Sequence, residues 1–263
     1  MILRTEGLVQ GYGQKIILNS IDIEAKSGEL VTVLGPNGCG KSTLIKTLCG
    51  VLKPKAGRIF IDDREVSEID KKERSRLVSY VPQDFAKGDY TTVYDAVLIG
   101  RRPYIDWTYS KQDIEICADA IMKMKVEPYI DRFVNELSGG QLQRVIIARS
   151  LAQDPQFYIF DEPTSSFDLR NQLDLMRIMK GIIKEKNACL LVALHDINLA
   201  LRYSDRVIVM KDGVIYKEGT PEEVITPKTI SEVYGVDAEI VTTPKGRFIH
   251  AFDNDADEML DRY

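Results

Sequence analysis

Short apolar segments alternate with amphipathic ones along most of the chain, a pattern typical of alternating strands and helices. Residues 2–10 and 16–25 predict strands of an antiparallel layer, and the apolar residues 29–34 predict a buried strand leading into a helix over residues 40–49. Further apolar segments predict strands at residues 58–61, 77–81, 157–160, 188–194 and 206–210. We therefore expect an α/β fold with a parallel sheet, helices on its faces and an additional antiparallel β layer.

Residues 84–153 depart from this alternation. Their first part is rich in aromatic side chains, namely Phe85, Tyr90, Tyr94, Tyr104, Trp107 and Tyr109. Ser110 and Asp113 have the spacing of a capping box, which favours a helix start because it satisfies otherwise unpaired N–H groups. A second long helix is predicted over residues 138–152. We interpret residues 84–153 as a helical subdomain inserted into an α/β core of residues 1–83 and 154–263.

The last part of the chain returns to strands and helices. Asp168 is a candidate N-cap for a helix over residues 169–186, and Thr220 followed by Pro221 and two acids marks another helix start. Beyond Gly219 the sequence predicts two short helices, a pair of strands and an acidic, solvated tail.

Composition and charge narrow the class of protein. The chain has 263 residues, of which 44% are hydrophobic, and its net charge of −5 argues against a protein that coats nucleic acid. The cysteines show no paired spacing, so we expect reduced thiols at Cys39, Cys49, Cys117 and Cys189. Charged residues occur within the first six positions of the chain, which is unlike the apolar region of a signal peptide. No apolar segment reaches the roughly 18 residues of a membrane span. We expect any membrane role to need a partner.

A phosphate-binding loop is predicted where the strand at residues 29–34 gives way to a helix. The loop reads Gly35-Pro36-Asn37-Gly38-Cys39-Gly40-Lys41-Ser42-Thr43. Its glycines let backbone N–H groups turn toward phosphate oxygens, and the helix N-terminus adds a positive dipole. Lys41 can reach the β- and γ-phosphates of a nucleotide, and the Ser42 hydroxyl can bind Mg²⁺.

Two acids, Asp161 and Glu162, follow the strand predicted at residues 157–160. Because α/β sheets bind ligands at the carboxyl ends of their strands, these acids are expected beside the phosphate loop. We predict that Asp161 holds Mg²⁺ through water and that Glu162 polarises the attacking water as a general base. Two solvated acids would look the same in isolation, and the phosphate loop favours the catalytic interpretation.

A third segment makes the assignment specific. It reads Leu137-Ser138-Gly139-Gly140-Gln141 and lies between the phosphate loop and the two acids. In this order the three segments resemble the ATP-binding cassette (ABC) family, with likeness over residues 3–249. The resemblance implies a single nucleotide-binding domain with a P-loop NTPase core, and an ATPase that uses ATP and Mg²⁺.

The resemblance also implies roles for single residues. Tyr12 would stack on adenine, Gln83 would sense Mg²⁺ and the attacking water, and His195 would contact the γ-phosphate. Asp168 would cap its helix and also lie in a loop that crosses a dimer interface, where Phe167 departs from the usual aliphatic residue. Tyr12 could instead be a surface aromatic, and Gln83 an ordinary loop amide. The predicted catalytic residues are Lys41, Gln83, Glu162 and His195.

The same resemblance implies a role in ATP binding for the segment at residues 137–141. Its serine and the following N–H groups start a helix and form an anion-binding end. That end, formed by Ser138, Gly139, Gly140 and Gln141, would cap the γ-phosphate of ATP held by a second copy of the chain. Two copies would meet head to tail across a two-fold axis and enclose two ATP molecules. Hydrolysis would remove this contact and reopen the pair.

The work that the ATPase drives is likewise inferred from resemblance. Residues 91–107 resemble ATPases that power uptake of metal chelates (ferric siderophores, haem or cobalamin) or of oxyanions such as molybdate. A separate polytopic permease, a substrate-binding protein as an indirect partner and a place at the cytoplasmic face of the cell membrane are implied. The aromatics after Gln83 could line the groove for a permease helix or pack the helical subdomain. Arg101 and Arg102 could be rim contacts or solvated charge.

Two other classes of ATPase stay open. The alternative function is a soluble ABC ATPase of iron–sulphur cluster assembly. A nucleic-acid machine is less compatible with the sequence, because repair ATPases of this family need long coiled coils and translation ATPases need two cassettes in one chain. This sequence has about 70 residues of inserted helical region and one copy of each motif.

Overall fold

A computed structural model describes residues 1–83, 85, 91–244 and 246–252 of the chain. The strands are β1 (Ile2–Tyr12), β2 (Lys15–Ile21), β3 (Glu24–Lys26), β4 (Leu30–Leu34), β5 (Ala56–Ile61), β6 (Arg64–Glu65), β7 (Val78–Val81), β8 (Phe157–Asp161), β9 (Cys189–Ala193), β10 (Arg206–Lys211), β11 (Val214–Gly219), β12 (Asp237–Thr243) and β13 (Gly246–Phe252). The α-helices are α1 (Lys41–Leu48), α2 (Lys71–Leu77), α3 (Val93–Leu98), α4 (Lys111–Met124), α5 (Gly139–Gln153), α6 (Leu169–Lys186), α7 (Ile197–Tyr203), α8 (Pro221–Val224) and α9 (Pro227–Tyr234). Short 3₁₀ helices occupy Val66–Glu68, Ile99–Tyr104, Glu127–Tyr129 and Val134–Glu136.

A six-stranded sheet in the order β11-β10-β4-β9-β8-β7 is the scaffold of the candidate site. The strands from β10 to β7 are parallel, and β11 is antiparallel to β10. Every residue of β4, β8 and β9 is buried, as expected for parallel strands covered on both faces. The carboxyl ends of β4, β8 and β9 lie together, because Val33 and Asp161 both pair with Ala193.

Alternating side chains of β4 divide the hydrophobic core between the two faces of this sheet. Leu30 and Leu34 pack in a cluster that includes apolar residues of α5 and α6. Val31 and Val33 pack in a second cluster, with α1 and the antiparallel strand β1. The period of two along a buried strand therefore fixes which helices cover which face.

The antiparallel layer has the order β2-β1-β5-β6, with β3 also paired to β1. The predicted single strand over residues 16–25 is wrong, because β2 pairs with the second half of β1 and β3 with its first residues. Gly7 has a positive φ of 55° between these two parts of β1, and its N–H donates to the Asp22 carboxylate. The bend in β1 therefore divides its partner strand.

The predicted capping box at the start of α4 is confirmed. The Ser110 hydroxyl accepts the Asp113 N–H at 3.2 Å, and the Asp113 carboxylate accepts the Ser110 N–H at 2.9 Å. The same carboxylate binds the Arg101 Nε at 2.8 Å, and only 5% of Arg101 is exposed. Arg101 is therefore neither a rim contact nor a solvated charge: it joins the 3₁₀ helix Ile99–Tyr104 to α4.

The aromatics after Gln83 have mixed environments. Tyr94 packs against the larger core cluster, whereas the side chain of Trp107 is 96% exposed. Tyr90 lies outside the described residues. Internal packing is therefore confirmed for Tyr94, whereas a groove for a permease helix lined by these aromatics stays a prediction.

The C-terminal part follows the predicted order of two short helices, α8 and α9, and a strand pair, β12 with β13. The acidic tail, residues 253–263, lies outside the described residues. All four cysteines are free thiols. Across the part of the chain that the structure describes, no helix has both the length and the apolar character needed to span a membrane.

Candidate active site

The phosphate loop joins the carboxyl end of β4 to α1, as the sequence predicts. Gly35 and Gly40 adopt φ values of 151° and 110°, which an L side chain rarely tolerates. A Cβ atom at Gly35 would lie 2.4 Å from the Met210 carbonyl oxygen, and one at Gly40 would lie 2.8 Å from the Leu18 side chain. Gly35 therefore requires glycine for conformation and for space, and Gly40 requires it for conformation.

Lys41 is the first residue of α1, and only 5% of it is exposed. Its ammonium donates to the carbonyl oxygens of Gly35 at 2.8 Å and Pro36 at 3.3 Å. These loop carbonyls hold the charge at the mouth of the loop, where the N-terminus of α1 also favours an anion.

Ser42 and Asp161 are brought into contact although 118 residues separate them in the sequence. The Ser42 hydroxyl donates to Asp161 Oδ1 at 3.0 Å, and Asp161 is 1% exposed. Burial raises the pKa of the Asp161 carboxyl, while the hydrogen bond from Ser42 acts in the opposite direction. A buried carboxylate and a hydroxyl are oxygen ligands of the kind that Mg²⁺ prefers.

The Glu162 carboxylate lies between the side chains of Gln83 and His195, which are distant from Glu162 in the sequence. Gln83 Nε2 donates to Glu162 Oε2 at 2.7 Å, and His195 Nε2 lies 2.6 Å from Glu162 Oε1. Gln83 follows the carboxyl end of β7 and His195 follows that of β9, so the parallel sheet aligns them on either side of β8. These contacts hold both oxygens of the candidate base.

The backbone of Glu162 has a positive φ of 51°, an uncommon conformation for a residue with a side chain. Its N–H donates to the Ala193 carbonyl at 3.2 Å, and its carbonyl accepts the Ser165 N–H at 3.2 Å. Such a conformation costs on the order of 1–3 kcal/mol, so the surrounding contacts must maintain it. Strain of this kind is often found at functional sites.

A cavity of about 560 Å³ is lined by nine of the predicted site residues. Its lining consists of Lys15, Ile17, Asn37, Gly38, Gly40, Lys41, Ser42, Thr43, Gln83, Glu162 and His195. Lys15 and Ile17, on β2, were missed by the sequence analysis. The sequence does carry a signal for this strand, because Lys15 follows Tyr12, the expected adenine contact, by three residues across a tight turn. Tyr12 itself is 53% exposed and outside this lining, so its contact with adenine stays a prediction.

Residues 137–141 do not line that cavity. Ser138 caps α5, since its hydroxyl accepts the Gln141 N–H at 3.3 Å and its own N–H donates to Gln141 Oε1 at 3.0 Å. Ser138 and Gly139 are exposed. This exposed helix start is open to an anion from outside the chain.

The loop before α6 lies beside this helix start. A Cβ atom on Gly140 would lie 3.3 Å from the Ser166 carbonyl oxygen and 3.5 Å from the Phe167 ring. Phe167 is 7% exposed, with the Arg144 guanidinium 5.5 Å from its ring centre. Asp168 caps α6 through the Asn171 N–H at 2.8 Å, which confirms the predicted cap, while its interface role stays a prediction.

Comparison with known proteins decides the family. The sequence profile described as "ABC transporter" matches residues 18–165, which include the phosphate loop and both acids. The chain belongs to the ABC transporter family. The ABC ATPase is 52% identical to the uncharacterized ABC transporter ATP-binding protein MJ0089 of Methanocaldococcus jannaschii, over 91% of this chain and 94% of that protein. It is 36% identical to the iron(3+)-hydroxamate import ATP-binding protein FhuC of Bacillus subtilis, over 92% and 91%.

A solved cassette supports the same assignment. The structure of MJ0796, described as a dimeric bacterial ABC transporter cassette, superposes on the ABC ATPase with a TM-score of 0.77 and 28% identity, over 83% of this chain and 98% of that one. MJ0796 has also been solved as a dimer after hydrolysis, bound to ADP and phosphate. The ABC ATPase therefore has the predicted P-loop NTPase fold and is an ATP-hydrolysing enzyme.

Proposed function

We propose that this ABC ATPase is the ATP-hydrolysing subunit that powers a separate membrane permease, which imports a metal chelate. The observation that supports the catalytic part most directly is the convergence of Gln83 and His195 on Glu162 in the cavity of the phosphate loop. Two side chains, from the ends of the strands on either side of β8, meet around one carboxylate, which suits a general base whose position must be fixed before water attacks.

Magnesium fits the residues present. Ser42 and Asp161 would hold the ion, with Gln83 beside them, and Mg²⁺ would neutralise charge on the β- and γ-phosphates of ATP. Among the described residues, no group of three or more His, Cys, Asp or Glu side chains could hold a metal. Mg²⁺ commonly combines one or two carboxylates with substrate phosphates, which is the donor set available here.

The chain's own residues would divide the remaining work. Lys41 would move from the loop carbonyls to the phosphates, the N–H groups of the loop would bind phosphate oxygens, and Glu162 would take the proton of water. His195 would orient Glu162 and contact the γ-phosphate.

A head-to-tail dimer would complete the site. The helix start at residues 138–141 is exposed and outside the cavity of its own chain, and the related cassette MJ0796 is dimeric. A second copy would therefore supply Ser138 and the N–H groups of Gly139, Gly140 and Gln141 to the γ-phosphate. Asp168 would lie near this interface, because its loop adjoins Gly140.

The cargo class is inferred from relatives. FhuC is named for import of iron(3+)-hydroxamate, and it aligns with nearly the whole of this chain. Ferric siderophores are the class we favour, ahead of haem, cobalamin or molybdate. Neither relative reported above is named for iron–sulphur cluster assembly, so we do not adopt that alternative. The ATPase would then lie at the cytoplasmic face of the membrane and contact a substrate-binding protein only through the permease.

Affinity purification of the tagged chain from detergent-solubilised membranes, followed by mass spectrometry, tests the proposal. We expect stoichiometric recovery of a polytopic membrane protein, and ATP hydrolysis by the purified complex. An untagged strain is the control for carry-over. Recovery of soluble proteins only would contradict the transporter assignment and leave the ATPase assignment untouched.

A further inference from the structure

A groove outside the active site lies between the start of α6, α7 and the β12–β13 hairpin. It has a volume of about 650 Å³. The apolar part of its lining consists of Leu169, Leu173, Leu199, Leu201 and Phe248. Leu169 is 67% exposed and Phe248 is 38% exposed. An apolar segment that covered these side chains would remove them from water, which is favourable.

The groove is formed by the packing of the hairpin on α7. The Asn198 side-chain amide donates to the Ile249 carbonyl at 3.2 Å and accepts the Ile249 N–H at 2.7 Å. Ile249 is buried, and β13 pairs with β12 along its whole length. The hairpin is therefore fixed to α7, and the groove does not need a partner in order to form.

Two arginines, Arg202 on α7 and Arg247 on β13, line the groove with exposed side chains. Among the described residues, neither guanidinium has a carboxylate partner. The lining also contains two acids, Asp196 and Glu222. The Asp196 carboxylate already accepts two backbone N–H groups, at 2.8 and 3.1 Å, as the cap of α7. The two arginines therefore offer cations to an acidic segment.

One face of β13 connects this groove with the end of the strand. Side chains alternate along a strand, so Phe248, His250 and Phe252 share a face opposite to that of Ile249. All three are exposed, and the rings of His250 and Phe252 lie 6.1 Å apart. At about 3.3 Å per residue, Phe252 lies about 13 Å from Phe248. An exposed aromatic face therefore leads from the groove to the residue that precedes the acidic tail.

The acidic tail, residues 253–263, has a composition that complements the groove. It contains five acids, and the apolar residues Met259, Leu260 and Tyr263 lie in its second half. It begins with Asp253-Asn254-Asp255, residue types that are favoured in turns. About four extended residues span the roughly 13 Å back to the groove. The tail is therefore long enough to place its apolar residues there.

We infer that residues 253–263 fold back over the exposed face of β13 and dock in this groove of their own chain. Met259 and Leu260 pack against the leucines of the groove, and the acids of the tail pair with Arg202 and Arg247. The inference replaces the expectation of a solvated tail with a docked one.

The covalent link to β13 favours this occupant over a separate molecule. A linked segment has an effective concentration on the order of millimolar at a site that its linker can reach, so a weak contact suffices. Because Leu169 directly follows Asp168, a docked tail covers the surface beside the loop expected at the dimer interface. The inference goes beyond the proposed function and needs neither ATP nor a permease.

Disulfide trapping in the full chain tests the inference. Leu260→Cys is combined with Leu169→Cys or Phe248→Cys in the groove. The matched control is Leu260→Cys with Lys184→Cys, because Lys184 is exposed near the other end of α6 and does not line the groove. The half-buried Cys49 is replaced by serine throughout, whereas the other native thiols are buried. Thermal unfolding of each reduced variant establishes that it is folded.

Oxidation is started with oxidised glutathione in dilute protein, and peptide mapping by mass spectrometry identifies the linked residues. Non-reducing electrophoresis separates links within one chain from links between chains. We expect the groove pairs to link within one chain at least about tenfold faster than the Lys184 pair, because docking keeps their thiols close together. Arg247→Glu should slow the linking of the Leu169 pair, and so should high salt, because both weaken the attraction of the tail acids.

Hydrogen exchange gives a second measurement without engineered thiols. Leu260→Asp is compared with wild type and with Ala256→Asp, which adds the same charge to the tail but leaves its large apolar side chains in place. We expect the amides of α7 and β13 to exchange several-fold faster in Leu260→Asp, and at the wild-type rate in Ala256→Asp.

Three results would overturn the inference. Equal linking rates for the groove pairs and the Lys184 pair would show a solvated tail that meets the whole surface alike. Links formed mainly between chains would show that the tail of a second copy occupies the groove. Exchange in Leu260→Asp that matched wild type would show that Leu260 does not bind there. None of these results depends on whether the chain recovers a permease, so they are independent of the test of the proposed function.

Discussion

Replacement of Glu162 by glutamine tests the role of this carboxylate as a base without disturbing the fold around it. Glutamine keeps the length of the side chain and two polar atoms, so its amide oxygen can accept from His195 while its amide nitrogen faces a reoriented Gln83 amide. Glutamate and glutamine tolerate a positive φ equally well, so we expect the backbone at this position to keep its conformation. We therefore expect a folded protein in which the ability to accept a proton has been lost.

The size of the effect follows from the role of the carboxylate. A positioned general base contributes about 10²–10⁴-fold to the rate, which corresponds to roughly 2.7–5.5 kcal/mol in the activation free energy. ATP affinity should stay near the wild-type value, since the loop N–H groups and Lys41 are not altered. His195→Ala combined with Glu162→Gln should be little slower than Glu162→Gln alone, because residues that act as a unit give non-additive effects.

The assay is single-turnover hydrolysis of ATP with excess protein, together with a direct binding measurement and light scattering for the dimer. Glu185→Gln is the matched control, since Glu185 lies on the exposed side of α6 with 65% of its side chain accessible. We expect Glu162→Gln to bind ATP and accumulate as the ATP-bound dimer. A hydrolysis rate close to that of Glu185→Gln would show that Glu162 is not the base.

Three further predictions concern the phosphate loop, the candidate metal ligand and the helical region. Lys41→Ala should lose both ATP binding and hydrolysis, because the ammonium binds phosphate in the ground and transition states alike; equilibrium binding that remained intact would refute this. Asp161→Asn should abolish hydrolysis yet raise the Tm of the nucleotide-free protein at pH 7. Native burial raises the pKa of Asp161, so the folded protein binds a proton at this residue more tightly than the unfolded chain does. The stability that this proton contributes is fully present below the unfolded pKa of about 3.9 and is lost as pH rises through the native pKa. The difference in Tm between Asp161→Asn and wild type should therefore shrink toward pH 4 in thermal denaturation, and a difference that grew would contradict the raised pKa. Arg101→Met should cost about 3–5 kcal/mol in urea unfolding, because the buried Asp113 carboxylate loses its partner, and a cost below about 1 kcal/mol would show that the pair is dispensable.

The sequence was sufficient to predict those features that depend only on residues close together along the chain. The phosphate loop, the caps at Ser110, Ser138 and Asp168, and the buried strands around Asp161 depend on neighbouring residues, on a period of two or 3.6, and on glycines that no other residue replaces. The order of the three motifs also indicated the family, which the comparisons confirm.

Tertiary structure decided what depends on contacts between distant segments. The division of residues 16–25 into β2 and β3 follows from the bend in β1, and the burial of Arg101 follows from its pairing with Asp113; neither leaves a periodic signal in the sequence. Lys15 and Ile17 reach the cavity only because β2 lies across from the phosphate loop. Sequence alone could propose Gln83, Glu162 and His195 one at a time, but the order of parallel strands brings their side chains within 2.7 Å, because strand order is set by packing of the whole sheet.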